Sequence, residues 1–178
     1  MDEKFNNKYR ASPHRLGTWD YGSHGLYYVT ICTKDRLPYL GNIIDSENGA
    51  KLAATEIGSI ATQNWLNIPQ HFPFVELDEY VIMPNHIHGI IFINKPDKID
   101  WNPNKFGSQS QNLASILRGY KASVKTYATI NKVDFGWQAG FYDRVIRDEK
   151  EYQNIRQYIW NNPTQWLLNG DNLDNIYQ

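Results

Sequence analysis

The 178-residue chain carries a formal net charge of −1, with 41% hydrophobic residues, 14% aromatic residues and a single cysteine. This length and composition predict one globular domain with a sizeable core, and the lone Cys32 excludes an internal disulfide framework. The near-neutral charge excludes no nucleic-acid partner, because a basic face can lie within a neutral total.

The sequence shows no sign of a membrane or secreted protein. Residues 1–8 are polar and lack the apolar core of a signal peptide, and no run of about 18 apolar residues occurs. A single cysteine also fits a reducing compartment. We therefore expect a cytoplasmic protein without a membrane partner.

The first half of the chain predicts a strand and then a helix. β-branched and aromatic residues over 26–33 are typical of a strand. A turn-rich patch follows through Gly49. Apolar residues then recur at helical spacing, which predicts a helix over residues 53–68 that Pro69 ends.

A β-hairpin that carries two histidines is predicted next. Two apolar runs flank Pro84-Asn85, a pair suited to a tight turn, so the first strand covers residues 74–83 and the second begins at His86. Side chains alternate along a strand, so His86 and His88 point to the same face and can converge on one divalent cation. The alternative is that they are polar residues at a strand start, one of them bonded to a backbone carbonyl.

A long connection and a second helix follow the hairpin. Residues 95–111 are rich in Pro, Asn, Ser and Gln, and a loop of this length is typically either functional or disordered. Residues 112–130 predict a helix with a core-facing apolar stripe. The stripe comprises Leu113, Ile116, Leu117, Tyr120, Val124 and Tyr127.

This helix also carries a basic stripe. It comprises Arg118, Lys121, Lys125 and, if the helix persists, Lys132. Over the 33 residues from Trp101 to Val133 there is no Asp or Glu. The stripe is either a solvated helix face or a surface that binds phosphate groups.

The last elements are a short strand and a third helix. Residues 141–146 predict the strand, and Asp148 with Glu151 forms the capping-box pattern of a helix over residues 149–162, which Pro163 ends. The predicted core face of this helix is Tyr152, Ile155 and Ile159, whereas Tyr158 and Asn162 share a different face.

The element order β-α-β-β-α-β predicts an α+β fold, a ferredoxin-like antiparallel sheet with an appended C-terminal helix. We interpret residues 1–178 as a single domain, in which residues 1–24 form an irregular N-terminal arm and residues 164–178 a C-terminal tail.

The residues alone leave the chemistry of the third helix open. A tyrosine such as Tyr158 can attack a phosphodiester that a divalent metal polarises, and the carbonyl oxygen of Asn162 could complete the metal coordination. The alternative is a half-buried aromatic residue at position 158 and an ordinary helix C-terminal residue at position 162. On the spacing alone, this alternative is the stronger.

Three motifs resemble a known family and change that balance. Residues 84–89 (PNHIHG) resemble the His-hydrophobic-His motif of the HUH endonucleases. Residues 141–147 (FYDRVIR) and 158–163 (YIWNNP) are similar to the REP-associated tyrosine transposases, which belong to the wider group of single-tyrosine insertion-sequence transposases. The resemblance extends from about Tyr27 to Pro163 with the motifs in the same order.

The resemblance implies a transposase that cleaves and rejoins single-stranded DNA at hairpin-forming sequences with Mg²⁺ or Mn²⁺. Its tyrosine would become joined to a 5′-phosphate and leave a free 3′-OH. By position, Tyr158 would be the nucleophile, and His86, His88 and Asn162 the metal ligands. Asn162 stands where insertion-sequence relatives carry Gln and REP-associated relatives carry Asn, one methylene shorter, which weakens its assignment as third ligand.

The expected partner is single-stranded or hairpin DNA, bound by a monomer or a homodimer. The predicted DNA-contacting residues are Arg15, Trp19, Arg118, Lys121, Lys125, Arg144 and Arg147. Aromatic residues of the N-terminal arm, such as Trp19, could stack on unpaired bases. The competing hypotheses are a DNA- or RNA-hairpin binding module without catalysis, and an inactive structural relative.

Overall fold

A computed structural model describes residues 17–103 and 110–169 of the chain. In chain order, the strands are β1 (Gly25–Cys32), β2 (Gly41–Ile44), β3 (Lys51–Ala54), β4 (Val75–Ile82), β5 (His86–Ile93) and β6 (Tyr142–Ile146). The α-helices are α1 (Glu56–Leu66), α2 (Ile68–His71), α3 (Leu113–Ile130) and α4 (Glu149–Asn169). Within the described ranges, no helix is both long and apolar enough to cross a membrane.

The central sheet has four antiparallel strands in the order β4-β5-β1-β6. Setting the separate hairpin β2-β3 aside, β1, α1, β4, β5, α3 and β6 follow the β-α-β-β-α-β order of a ferredoxin-like sheet. The helix α4 is appended at the C-terminal end, so the predicted fold class is confirmed.

The sheet is covered on both faces, because alternate residues of each strand point to opposite sides. Tyr27, Val29 and Ile31 pack with α1 and α3 in the larger core. Tyr28, between them on β1, packs with Ile159 of α4 in a smaller core. The molecule therefore has three layers: α1 with α3, the sheet, and α4.

Gly89 anchors the central strand β5 to α1. A Cβ atom at this position would lie 2.3 Å from the indole ring of Trp65, which is fully buried. Only glycine allows this close approach. The glycine of the PNHIHG motif thus lets Trp65 pack against the backbone of the strand that carries both histidines.

The predicted helix over residues 53–68 begins later and ends earlier than expected. Residues 51–54 form β3, in a hairpin with β2 inside the predicted turn-rich patch. Thr55 caps α1 by accepting a hydrogen bond from the Gly58 N–H at 3.1 Å. Pro69 lies in the first turn of α2, where its missing N–H costs no hydrogen bond, rather than at the end of α1.

The helix α3 matches its prediction closely. Asn112 caps it through a reciprocal pair of hydrogen bonds with Ser115. Its apolar stripe is confirmed as core-facing, with Tyr127 half-buried and the other members buried. The helix ends at Ile130, so Lys132 lies outside it, in a left-handed backbone conformation with φ of 57°.

The predicted end of the last helix is wrong. Pro163 lies inside α4, which continues to Asn169, so residues 164–169 of the predicted tail are helical, and its residues 170–178 lie outside the described ranges. A proline removes one backbone donor from a helix. The following residues nevertheless continue the helix, and Trp166 brings its ring beside His86. The core face of Tyr152, Ile155 and Ile159 is confirmed.

Candidate active site

His86 and His88 lie side by side on β5, facing α4. Their exposed fractions are 1% and 0%, and their ring centroids are 4.5 Å apart. In the β1–β5 register they stand opposite Cys32 and Thr30. The prediction that the two imidazoles share a face is confirmed, and both rings are buried.

The tautomer of His86 follows from its neighbour Asn85. The Asn85 Nδ2 donates to the carbonyl oxygen of Arg36 at 3.1 Å, which turns the Asn85 Oδ1 toward the His86 Nδ1 at 2.7 Å. Because an amide oxygen only accepts, the His86 Nδ1 must donate, and Nε2 carries the lone pair. This buried Nε2 has no hydrogen-bond partner among the described residues.

Burial lowers the pKa of His86 to about 3, so the ring is neutral at physiological pH. The Asn162 side chain acts in the opposite direction and raises this pKa, which places the amide beside the ring. The amide makes no hydrogen bond to Nε2, which has no partner among the described residues. A buried, neutral imidazole with an unpaired lone pair is suited to bind a metal ion.

His88 lies deeper and joins β1 to α4. Its Nδ1 contacts the Tyr28 hydroxyl at 2.8 Å and the Thr30 hydroxyl at 2.9 Å. Its Nε2 lies 3.4 Å from the Tyr158 hydroxyl. Burial, together with the neighbouring His86, lowers the pKa of His88 well below its usual value, so this ring is also neutral.

The helix α4 brings Tyr158 and Asn162 to the histidines. The two residues are one turn apart, so both side chains project toward β5. Burial raises the pKa of Tyr158, and a hydrogen bond with Asn162 partly offsets the rise. The four residues that the sequence analysis assigned as nucleophile and metal ligands therefore lie together, although they come from two distant segments.

Trp166 is a site residue that the sequence analysis missed. It follows Tyr158 and Asn162 at a four-residue interval, and its ring centroid lies 6.0 Å from that of His86. The predicted helix end at Pro163 hid this spacing. The four-residue spacing would have identified Trp166 if the predicted helix had been extended through Pro163.

A second missed feature holds α4 against β4. The register of β4 shifts between Leu77 and Tyr80, as in a β-bulge. Within it, the Asp78 carboxylate accepts a hydrogen bond from the Tyr152 hydroxyl and lies 3.5 Å from the Nε of Arg156. Glu79 lies 3.7 Å from the same guanidinium group. These contacts fix the first half of α4, and with it Tyr158.

One of the predicted DNA-contacting arginines, Arg144, lies on the face of the site, and a second, Arg147, lies just before α4. Arg144 stands opposite Tyr28 in the β1–β6 register and therefore shares the face of His88. Its Nε lies 2.5 Å from a carboxylate oxygen of Glu151. Arg147 is exposed just before α4, and its backbone N–H donates to the carboxylate of Glu151 at 3.0 Å.

The other predicted DNA contacts are not brought to the site. Arg118, Lys121 and Lys125 lie on α3, on the opposite face of the sheet. Trp19 is half-buried near the start of β1, donates to the Tyr27 hydroxyl at 3.3 Å and packs edge-on against another indole. Arg15 lies outside the described residues.

The lysines of α3 contact the chain that follows the helix. The Lys121 Nζ donates to the carbonyl oxygens of Gln138 and Gly140 at 2.7 and 2.8 Å. The Lys125 Nζ donates to the Phe135 carbonyl at 2.6 Å. Both ammonium groups therefore support the segment between α3 and β6.

The side chains of the site can hold a metal ion only if oxygen ligands complete the coordination that the nitrogens of His86 and His88 would begin. Across residues 17–103 and 110–169, no three His, Cys, Asp or Glu side chains are arranged to hold a metal. The unpaired Nε2 of His86, the Nε2 of His88 and the side-chain oxygen of Asn162 could serve as ligands, with water or phosphate oxygens completing the shell. The unpaired buried Nε2 is the observation that supports such a site.

Two Haemophilus influenzae proteins are similar to this chain in sequence. No family model matches it. A Haemophilus influenzae protein of unassigned function is 40% identical over 175 residues, covering 89% of this chain and 94% of that protein, so the two belong to one family. A second H. influenzae protein, described as a REP-associated tyrosine transposase, is 27% identical over 152 residues, covering 82% of this chain and 74% of that protein.

A solved structure shares the fold. It is a REP-associated tyrosine transposase bound to a REP hairpin, with a TM-score of 0.56 and 19% sequence identity over 89% of this chain and 73% of that chain. At this identity the likeness concerns the fold alone. It agrees with the four-stranded sheet and C-terminal helix described above.

Proposed function

We propose, from its relationship to the REP-associated tyrosine transposases, that this chain nicks and rejoins single-stranded DNA at hairpin-forming sequences. The relationship supports a transposase-like function directed at DNA hairpins. The finer proposal, a metal-dependent reaction through a phosphotyrosine intermediate, rests on one observation. The Tyr158 hydroxyl contacts the buried, neutral imidazole of His88, and the neighbouring imidazole of His86 has an unpaired nitrogen.

The proposed reaction is a transesterification. The Tyr158 Oη forms a bond to phosphorus while the bond from phosphorus to the 3′ oxygen breaks. The phenol gives up one proton and the departing 3′ oxygen gains one. Attack of a 3′-OH on the phosphotyrosine reverses the step, so one phosphoester bond replaces another and no energy source is consumed.

The residues of the site have separate roles in this proposal. Burial raises the pKa of Tyr158, so the phenol needs help to lose its proton, and Asn162 supplies part of it by lowering that pKa through a hydrogen bond. His86, His88 and Asn162 would hold Mg²⁺ or Mn²⁺. When bound, the cation would draw negative charge onto the phosphoryl oxygens.

The DNA would approach from the α4 side of the sheet. Arg144 lies on this face and Arg147 is exposed just before α4, so both could contact phosphates on this side of the sheet. Trp166, half-buried beside His86, offers an aromatic ring to an unpaired base. Arg118, Lys121 and Lys125 would serve a more distant part of the hairpin, because α3 lies on the other face.

Labelled single-stranded hairpin DNA and Mn²⁺ test the proposal. We expect a covalent adduct that survives denaturation, and mass spectrometry after nuclease trimming should locate the nucleotide on Tyr158. Tyr158→Phe keeps the ring and should bind the hairpin while forming no adduct. Binding without an adduct in the wild type would leave a hairpin-binding module, and no binding at all would leave an inactive relative.

The location of the adduct is as informative as its presence. Tyr152 lies on the same helix, but its hydroxyl donates to Asp78 and it packs in the smaller core. A nucleotide on Tyr152, or cleavage that persists in Tyr158→Phe, would overturn the assignment of the nucleophile.

A further inference from the structure

The Nδ1 of His88 is held by two hydroxyl groups of β1. Tyr28 Oη lies 2.8 Å and Thr30 Oγ1 lies 2.9 Å from this nitrogen. The three side chains are 5%, 3% and 0% exposed, in the order Tyr28, Thr30 and His88. Thr30 stands directly opposite His88 in the strand register, and Tyr28 is two residues away on the same face.

The direction of these hydrogen bonds follows from the hydroxyl of Thr30. This hydroxyl is placed to donate to Tyr28 Oη at 3.3 Å, and in that arrangement its oxygen turns lone pairs toward the His88 Nδ1. If Nδ1 also carried a lone pair, the contact of 2.9 Å between them would be repulsive. A hydrogen on Nδ1, shared between the two oxygens, makes both contacts favourable.

The phenol of Tyr28 cannot change this balance by ionising. Burial raises its pKa far above the ordinary value, so the group is a neutral hydroxyl at physiological pH. Its oxygen has two lone pairs, so Tyr28 Oη can accept from both Thr30 and His88 when Nδ1 carries the hydrogen.

We propose that Tyr28 and Thr30 are positioning residues, which hold His88 in the Nδ1–H tautomer so that its Nε2 lone pair faces the Tyr158 hydroxyl and the cation. The role of this tautomer in binding the cation rests on the proposed function, whereas the tautomer itself does not. Asn85 does the same for His86 from another direction. Both imidazoles would then present lone pairs to one point, as metal ligation requires.

The tautomer can be measured on the metal-free protein. Long-range ¹H–¹⁵N spectra of the imidazole rings separate a protonated ring nitrogen from an unprotonated one. We expect wild-type His88 to carry its hydrogen on Nδ1. In Thr30→Val and Tyr28→Phe, the Nε2–H form should become populated, because Nδ1 loses one of its two acceptors.

The second readout is the affinity for Mn²⁺, measured by calorimetry. Loss of a group that orients a metal-binding histidine typically lowers metal affinity by about 10–100-fold. Thr62→Val is a matched control, since Thr62 makes a comparable hydrogen bond to Gly58 within α1, on the other face of the sheet. It should change neither the His88 spectrum nor Mn²⁺ binding.

The outcomes separate this inference from the proposed function. A wild-type His88 with its hydrogen on Nε2, or an unchanged Nδ1–H form with unchanged Mn²⁺ affinity in both variants, overturns the positioning role. A shifted tautomer in the variants, in a protein that binds no Mn²⁺ even as the wild type, supports the positioning of His88 and overturns the metal-dependent function. If Tyr28→Phe does not fold, Thr30→Val alone decides, because it alters a smaller side chain.

Discussion

The Tyr158 hydroxyl lies 3.4 Å from the Nε2 of His88, across 70 residues of sequence. This contact connects the appended helix α4 to the central strand β5. His88 is completely buried, whereas Tyr158 is only half-buried. The Tyr158 hydroxyl therefore lies against a completely buried imidazole although its own side chain is partly exposed. Any change in how α4 docks on the sheet should move the nucleophile relative to the imidazoles.

The contact between Tyr152 and Asp78 should control that docking. Tyr152→Phe removes a hydrogen bond to a carboxylate, which we expect to lower the free energy of unfolding by about 1 kcal/mol. Because the bond ties α4 to β4, amide hydrogen exchange should accelerate mainly in α4. Hydrogen-exchange mass spectrometry measures this change.

Tyr127→Phe provides the control for this prediction. Tyr127 also donates to a carboxylate, that of Glu56, but it lies on α3 in the opposite layer. The Tyr127→Phe variant should leave amide hydrogen exchange in α4 unchanged. Equal exchange in α4 for Tyr152→Phe and the wild type would show that the contact does not hold the helix.

The sequence predicted the histidine face and the Tyr158–Asn162 face because both depend on local periodicity. Alternation along β5 and the helical turn of α4 require no knowledge of distant contacts. Periodicity could not predict that His88 would be bonded to Tyr28, since strand pairing between β1 and β5 decides that contact. The same holds for the β-bulge around Asp78, which an extra residue in the strand creates.

Pro163 shows why the end of α4 was mispredicted. A proline usually ends a helix at the residue before it, and this rule placed the end at Asn162. This rule considers only local effects, namely the hydrogen bond lost at the proline and the helix propensity of the neighbouring residues. In the folded protein α4 also contacts the β2–β3 hairpin, and its continuation beyond Pro163 brings Trp166 to His86. Tertiary contacts of this kind are absent from the local sequence pattern.

The buried histidines should make the protein less stable in acid. Burial lowers the pKa of His86 to about 3, whereas an unfolded histidine has a pKa near 6.5. Below about pH 6.5 the unfolded chain binds a proton that the folded protein does not, so the free energy of unfolding falls by about 1.4 kcal/mol per pH unit for such a group. Above that pH the contribution of His86 is constant.

Urea unfolding at pH 7.5 and pH 5 should reveal this dependence. We expect His86→Gln to lose less stability on acidification than the wild type, by up to about 2 kcal/mol. His71→Gln removes an exposed histidine and should behave like the wild type. The same loss in all three proteins would mean that His86 is protonated in the folded state.

The two histidines should also dominate metal binding. His86→Ala and His88→Ala each remove one of two nitrogen donors, so we expect Mn²⁺ affinity to fall by more than the roughly 10–100-fold seen for groups that only orient a ligand. Calorimetric titration measures the affinity. A thermal melt is needed in parallel, because both rings are buried and their removal leaves cavities.

His71→Ala is the matched control for the metal titration. This imidazole is exposed on α2, away from the site, and its loss should leave Mn²⁺ affinity unchanged. Unchanged affinity in folded His86→Ala and His88→Ala would leave the pair as structural histidines and remove the metal from the proposed function.

The lysines of α3 test whether the hairpin reaches the far layer of the protein. We expect Lys121→Ala and Lys125→Ala to weaken hairpin binding and to reduce the slope of log affinity against log salt by about 0.7–0.9 per lost phosphate contact. Each variant should also be less stable, because the ammonium groups donate to backbone carbonyls after the helix. Lys51→Ala, at an exposed position of β3, should change neither quantity.

The two readouts distinguish a DNA contact from a purely structural role. Hydrogen bonds to carbonyls leave the positive charge of an ammonium group in place, so Lys121 and Lys125 could still attract phosphates. Loss of a phosphate contact changes the slope of log affinity against log salt. Loss of the hydrogen bonds that support residues 131–141 instead lowers the free energy of unfolding at every salt concentration. Reduced stability with a wild-type salt slope in both variants would show that the basic stripe only braces the chain and that the hairpin is bound on the α4 side alone.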